Sequence, residues 1–107
     1  MYRFALAVLL IAAVAAPVSA ADQQVPISIR DHKFVPSDVP IPAGVKVELV
    51  IKNGQVVNAE FESTTLHREK IVQAGSQISV FVGPLDPGTY EFFDDFNRAT
   101  RGRLVVK

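Results

Sequence analysis

The stretch Val45-Lys46-Val47-Glu48-Leu49-Val50-Ile51 alternates in side-chain character and stops at Asn53-Gly54. A period of two puts Val45, Val47, Leu49 and Ile51 on one face, which makes a half-buried strand and excludes a helix. The same period recurs in Val25 to Ile29, Gln77 to Val82, Thr89 to Phe93 and Arg103 to Lys107, and more weakly in Val57 to Glu62 and Lys70 to Gln73. Pro87-Gly88 fits a type II turn, with Pro setting φ and Gly supplying φ > 0. Pro36, Pro40 and Pro42 confine their stretch to an edge strand or a loop. Beyond residue 20 no long 3.6-residue apolar period occurs. Ser63 to Lys70 has room for one helical turn, capped by Thr64 or Thr65. Short strands with Gly and Pro turns at this spacing predict an all-β, antiparallel Greek-key β-sandwich, as a single domain.

Residues 1–20 stand apart. Arg3 precedes an unbroken apolar run from Phe4 to Ala16, Pro17 breaks it, and Val18-Ser19-Ala20 supplies small residues. That order is expected of a signal peptide cleaved after Ala20. The run is shorter than the ~20 residues of a membrane span. The expectation is therefore an exported, periplasmic protein whose folded domain is residues 21–107, with no membrane insertion after signal cleavage.

Composition removes whole classes of function. Eleven Lys plus Arg balance 11 Asp plus Glu, so the basic surplus that nucleic-acid binding needs is missing, and no nucleic-acid partner is expected. The absence of Cys excludes disulfides, thiolate zinc sites, iron–sulfur clusters and thiol nucleophiles. No Gly-rich phosphate loop and no Ser elbow of a hydrolase triad is present.

Two long segments are more specific. FVPSDVPIPAGVKVELVIKN (residues 34–53) has a Pro-Ala-Gly turn feeding a strand that ends in Asn, and GPLDPGTYEFFDDFNRATRGRLVVK closes the chain (residues 83–107). Together they resemble the cupredoxin fold of the small blue-copper proteins. DHKF at 31–34, EFES at 60–63, REK at 68–70 and VGPLDPGTYEFF at 82–93 resemble the cupredoxin-like domain of EfeO-type proteins, whose relatives include the small periplasmic cupredoxin of bacterial ferrous-iron uptake systems. The resemblance covers residues 25–107.

The resemblance also shows what this chain lacks. Blue-copper proteins of the short-loop kind place Cys-x-x-His-x-x-Met-x-Gly before the last strand. With Gly102 as the anchor, those ligand positions fall on Asp94, Asn97 and Thr100. The remaining His falls on Ala59 or Glu60, six or seven residues beyond Asn53. A type 1 copper centre needs a thiolate and imidazoles, so no type 1 blue copper is expected. The resemblance leaves an oxygen-rich site, with iron or copper as the ions to consider and a preference for harder ions over Cu(I).

The candidate metal ligands are Glu60, Glu62, His67, Asp94 and Asp95. Glu60 and Glu62 are two apart, so on a strand their carboxylates share one face near the sandwich rim while Phe61 points into the core. Asp94 and Asp95 begin the loop that carries ligands in blue-copper proteins. Neighbours on an extended chain point oppositely, so one of the two is expected to face the site. His67 reaches it if residues 63–70 fold over the end of the sandwich, and His32 is expected at the opposite end. Each has a plainer alternative: a solvated strand edge for the glutamates, ion pairs with Arg98, Arg101 or Arg103 for the aspartates, and a solvated or backbone-bonded ring for each histidine. Arg98, Arg101, Arg103 and Lys107 are read as a solvated strand face, and Tyr90, Phe92, Phe93 and Phe96 as core and rim aromatics.

The resemblance implies an accessory role in iron or other metal uptake, with a membrane iron permease and other periplasmic uptake proteins as partners. It implies metal binding or handover; catalysis, if present, would be that of a ferrous-iron oxidase component. The alternative is a metal-free β-sandwich that binds a protein partner through its rim or an edge strand.

Overall fold

The structure, a computed structural model, describes residues 23–107; the segment read as a signal peptide, residues 1–20, lies outside them. Nine strands form: β1 (Gln23–Arg30), β2 (Lys33–Val35), β3 (Asp38–Ile41), β4 (Val47–Asn53), β5 (Ala59–Ser63), β6 (Arg68–Val72), β7 (Gln77–Val82), β8 (Gly88–Asp94) and β9 (Asn97–Val106). They make two sheets, one in the order β2-β1-β4-β7 and the other in the order β3-β9-β8-β5-β6. This is the all-β sandwich that the strand pattern predicts. It is mixed, however: β1 pairs with β4, and β3 with β9, in parallel. Among the described residues no helix is long and apolar enough to cross a membrane.

Alternation decides what is buried. Val47, Leu49, Ile51 and Asn53 point inward along β4, and Ile27 and Ile29 along β1. Across the gap they meet Val39, Phe61, Phe92, Leu104 and Val106 of the second sheet. Phe34, Phe61 and Phe92 form the aromatic centre: Phe34 meets Phe92 edge-on at 4.8 Å, and Phe61 lies 5.1 Å from Phe92. Such pairs contribute ~0.5–1.5 kcal/mol each beyond burial. Gly102 sits opposite Phe92 in the β8–β9 register. A Cβ there would lie 2.5 Å from the Phe92 ring and 2.9 Å from the Ser37 carbonyl oxygen, so the missing side chain is the space the ring fills.

Three local expectations are corrected. Residues 64–67 form no helical turn; they are the loop of the β5–β6 hairpin, in which the His67 N–H donates to the Thr64 carbonyl at 3.2 Å and His67 has φ 54°. Its Ser63 hydroxyl donates to the Glu91 carbonyl (2.6 Å) and accepts from the Leu66 N–H (3.2 Å), holding the loop without helical hydrogen bonds. Pro87-Gly88 makes no type II turn; a bend at Pro87 leads straight into β8, with Gly88 at φ 156°. DHKF is a hairpin: Asp31 and His32, at φ 50° and 55°, form the two-residue turn between β1 and β2, the backbone twist that suits tight hairpins.

Two side-chain arrangements hold the ends and the flank. Asn53, almost fully buried, donates to the carbonyls of Val57 (2.8 Å) and Val72 (3.0 Å) and accepts from the Gln55 N–H (3.0 Å). It thereby pins the loop after β4 to β6 in the opposite sheet. On the flank, Arg68 and Lys70 of β6 donate across the gap to the outward carbonyls of Phe81 (3.1 Å) and Ser79 (3.2 Å) on β7.

Candidate metal centre

Phe61 and its inward neighbours Ala59 and Ser63 leave Glu60 and Glu62 on the outer face of the five-stranded sheet, in its interior strand β5. The β8–β9 hairpin supplies the third group. Its turn is Asp95-Phe96, closed by the Asp94–Asn97 pair, and the Asp95 N–H donates to the Glu60 carbonyl at 3.0 Å. That bond brings the Asp95 side chain over β5. One carboxylate oxygen from each of Glu60, Glu62 and Asp95 lies within 4.8 Å of the others, close enough to share one ion. The cluster sits on the outer sheet face beside the β8–β9 hairpin turn.

Asp94 turns the other way. It is buried, and its Oδ1 accepts from the Glu60 N–H (2.9 Å) and the Phe96 N–H (3.0 Å). It frames the cluster and stands outside it. His67 lines a shallow cleft with Glu62 and Glu69, next to the cluster but outside the triad. His32, expected at the far end, is corrected to the neighbourhood of the β8–β9 loop: the Asn97 amide donates to its Nδ1 (2.7 Å), and the Thr100 hydroxyl donates to its carbonyl (2.7 Å). Asp94, Asn97 and Thr100, the positions that match copper ligands in the resemblance, are thus all engaged in hydrogen bonds within the chain.

The charge balance of the cluster is unfavourable as it stands. Glu60 is only 8% exposed, and its Oε1 is buried with no hydrogen-bond partner. Burial foremost, then the adjoining Glu69 carboxyl and the charges of Asp95 and Glu62, push Glu60 up to about 7. Glu62 is also raised, by burial and by Asp95 and Glu69, against a lowering pull from Arg98. Buried polar atoms are nearly always paired, and like charges this close favour a proton or a cation between them. Glu69, opposite Glu62 on β6, belongs to this neighbourhood, and the sequence reading missed it. The signal for it was present, because a hairpin closed over residues 64–67 sets Glu69 against Glu62. On the side facing β9, Arg98 binds Asp95 with Nη2 at 2.9 Å, and Arg98 and Arg101 lie over the Phe93 ring at 5.9 and 5.1 Å.

Comparison with known proteins bears on this arrangement. The profile of the family described as "Cupredoxin-like domain" matches residues 3–106. The uncharacterized protein RP394 of Rickettsia prowazekii is 45% identical over 83 residues, which cover 78% of this chain and 66% of that protein. The chain thus spans just under two thirds of that relative. Among solved structures, the metal-binding domain of the Cu(I)-exporting P-type ATPase CopA of Streptococcus pneumoniae, determined with Cu(I), superposes with a TM-score of 0.72 at 14% identity, over 78% of this chain and 84% of that one. Amicyanin of Paracoccus versutus gives 0.63 at 19%, over 87% and 86%. The purple cupredoxin of Nitrosopumilus maritimus gives 0.61 at 17%, over 80% and 100%. At these identities the structures establish a shared fold.

Proposed function

This chain belongs to the cupredoxin-like domain family, and from that premise we propose that it is a metal-binding accessory of a metal-uptake system, holding a cation through Glu60, Glu62 and Asp95. The observation that carries the reading is Glu60, whose Oε1 is buried and unpartnered and whose carboxylate lies together with two others. A divalent or trivalent ion there would satisfy the orphaned oxygen and remove the mutual repulsion that raises Glu60 and Glu62. An all-oxygen donor set favours hard ions such as Fe²⁺, Fe³⁺ or Mn²⁺ over Cu(I). The function proposed here therefore departs from the copper chemistry named for the structural neighbours.

The finer reading is an EfeO-type role: an exported, periplasmic protein that hands iron to a membrane permease. The words EFES, REK and VGPLDPGTYEFF support it. Handover is proposed rather than oxidation, because oxidising Fe²⁺ would require an electron acceptor from outside the chain. The site suits transient loading: it lies on an open sheet face, and Asp95 sits on a hairpin turn.

Thermal melts of the purified protein with and without Fe²⁺, Mn²⁺, Zn²⁺ and Cu²⁺ test the metal reading. An ion at a hundredfold excess over its Kd stabilises by about 2.7 kcal/mol, or roughly 10–20 °C for a domain of this size. The shift should vanish in Glu60→Gln. If no ion raises the midpoint, the metal reading fails and the partner-binding sandwich stands in its place.

A further inference from the structure

We propose that Arg98 is the resident counter-cation of this site, displaced from Asp95 when a metal ion enters. The inference rests on the metal reading above and adds a mode of regulation to it.

Arg98 and Asp95 are three residues apart across the β8–β9 turn. Arg98 Nε donates to Asp95 Oδ1 at 3.0 Å, and Nη2 lies 2.9 Å from the same oxygen in the ion pair. The guanidinium therefore sits on the Asp95 carboxylate, one of the three that an ion would share. Its reach goes beyond Asp95, because its charge also pulls Glu62 downward. The groups that face the site are Glu60, Glu62 and Glu69 from β5 and β6, Asp95 from the turn, and Arg98 with Arg101 from β9. Against four carboxyl groups, Arg98 is the cation ion-paired with the cluster among the described residues.

A guanidinium stays protonated at any working pH, so Asp95 is freed by competition from another cation and not by deprotonation of Arg98. The structure provides for displacement. The Arg98 side chain is 75% exposed, so its movement disturbs no packing. Its guanidinium already lies 5.9 Å from the centre of the Phe93 ring, an attractive surface for a cation once the ion pair opens. Arg101 lies over the same ring, and its Nη1 donates to the Arg98 carbonyl at 3.4 Å, holding the Arg98 backbone in place while the side chain moves. An incoming ion must then compete with Arg98, and affinity is lowered by the strength of that contact. Exposed pairs of this kind are modest in strength, so the competition tunes loading without preventing it.

The test is Zn²⁺ titration of the purified protein, Zn²⁺ being diamagnetic and accepting carboxylate ligands. Calorimetry on wild type, Arg98→Ala and Arg98→Lys should show Arg98→Ala binding Zn²⁺ about 5-fold tighter, in keeping with an exposed ion pair, with Arg98→Lys in between. In wild type, the Arg98 Nε–H resonance should shift as Zn²⁺ saturates the site and stay unmoved in Glu60→Gln. Zn²⁺ binding with equal or weaker affinity in Arg98→Ala, or saturation with the Nε–H resonance unmoved, overturns the counter-cation proposal and leaves the metal site standing. No Zn²⁺, Mn²⁺ or Fe²⁺ binding to either wild type or Arg98→Ala overturns both.

Discussion

Asp94 Oδ1 lies 2.9 Å from the backbone nitrogen of Glu60 and accepts its hydrogen, joining β8 to β5 where the ladder between them ends. The same oxygen accepts the Phe96 N–H and so shapes the hairpin that carries Asp95. Removing it strands two N–H groups at a buried position. Asp94→Ala is therefore expected to cost about 3 kcal/mol in urea unfolding, with Asp94→Asn recovering part of the loss. Zn²⁺ affinity should fall with it although Asp94 is no ligand, because Asp95 loses its frame. Unchanged stability in Asp94→Ala would contradict this account.

The acidic cluster makes stability fall as pH rises. The folded Glu60 carboxyl keeps its proton up to about pH 7, against an ordinary value of 4.5. Between those values the folded state binds more protons than the unfolded one, so metal-free protein loses stability from about pH 4.5 to 7 and levels off above. Glu62, raised in the same direction, adds to the slope. Melting temperatures of metal-free protein from pH 4.5 to 8.5 should decline through this window, and Glu60→Gln should flatten most of the decline. A profile that rises with pH would sink the assignment.

Gly102 of β9 has no room for a side chain. In Gly102→Ala the new methyl would meet the Phe92 ring at 2.5 Å and the Ser37 carbonyl at 2.9 Å. Overpacking of this kind costs about 1–3 kcal/mol. Paired with Phe92→Leu, the alanine should cost less than it does alone, which a double-mutant cycle by urea unfolding measures directly.

Asn53→Asp keeps the acceptor for Gln55 and loses both donors, to Val57 and Val72. A loss of about 2–4 kcal/mol is expected from burying a carboxyl against two carbonyls. Hydrogen exchange should rise first in residues 54–58, the loop this side chain ties down.

Mixing the protein with Cu²⁺ should give no intense thiolate-to-copper absorption, since the chain has no Cys. Any Cu²⁺ spectrum should be the weak one of oxygen and nitrogen ligands.

What the sequence revealed depended on whether burial follows residue type. β1, β4 and β7 alternate plainly between apolar and polar, and their predicted positions hold within two residues. β9 runs from Asn97, six residues before the predicted start at Arg103, because its inward positions there are Thr100 and Gly102, which carry no apolar signal. The DHKF hairpin was hidden because its turn uses His32 where Gly or Asn usually marks a positive φ. At the site, the i, i+2 spacing placed Glu60 and Glu62 on one face, and the alternation rule separated Asp94 from Asp95. It could not say which of the two turns inward, since that rests on the hydrogen bond from the Glu60 N–H. Phe61 takes the core as expected, and that is what puts the glutamates on the outer face.

The contacts of Arg68 and Lys70 with the outward carbonyls of β7 have a consequence for how the protein behaves in company. β6 and β7 are the last strands of their sheets, and an open strand edge is a template on which another chain can add itself and grow an aggregate. Two cations anchored on Phe81 and Ser79 occupy acceptors such a strand would need and present positive charge to it. On this flank, an approaching strand of another molecule would meet acceptors already taken and two positive charges.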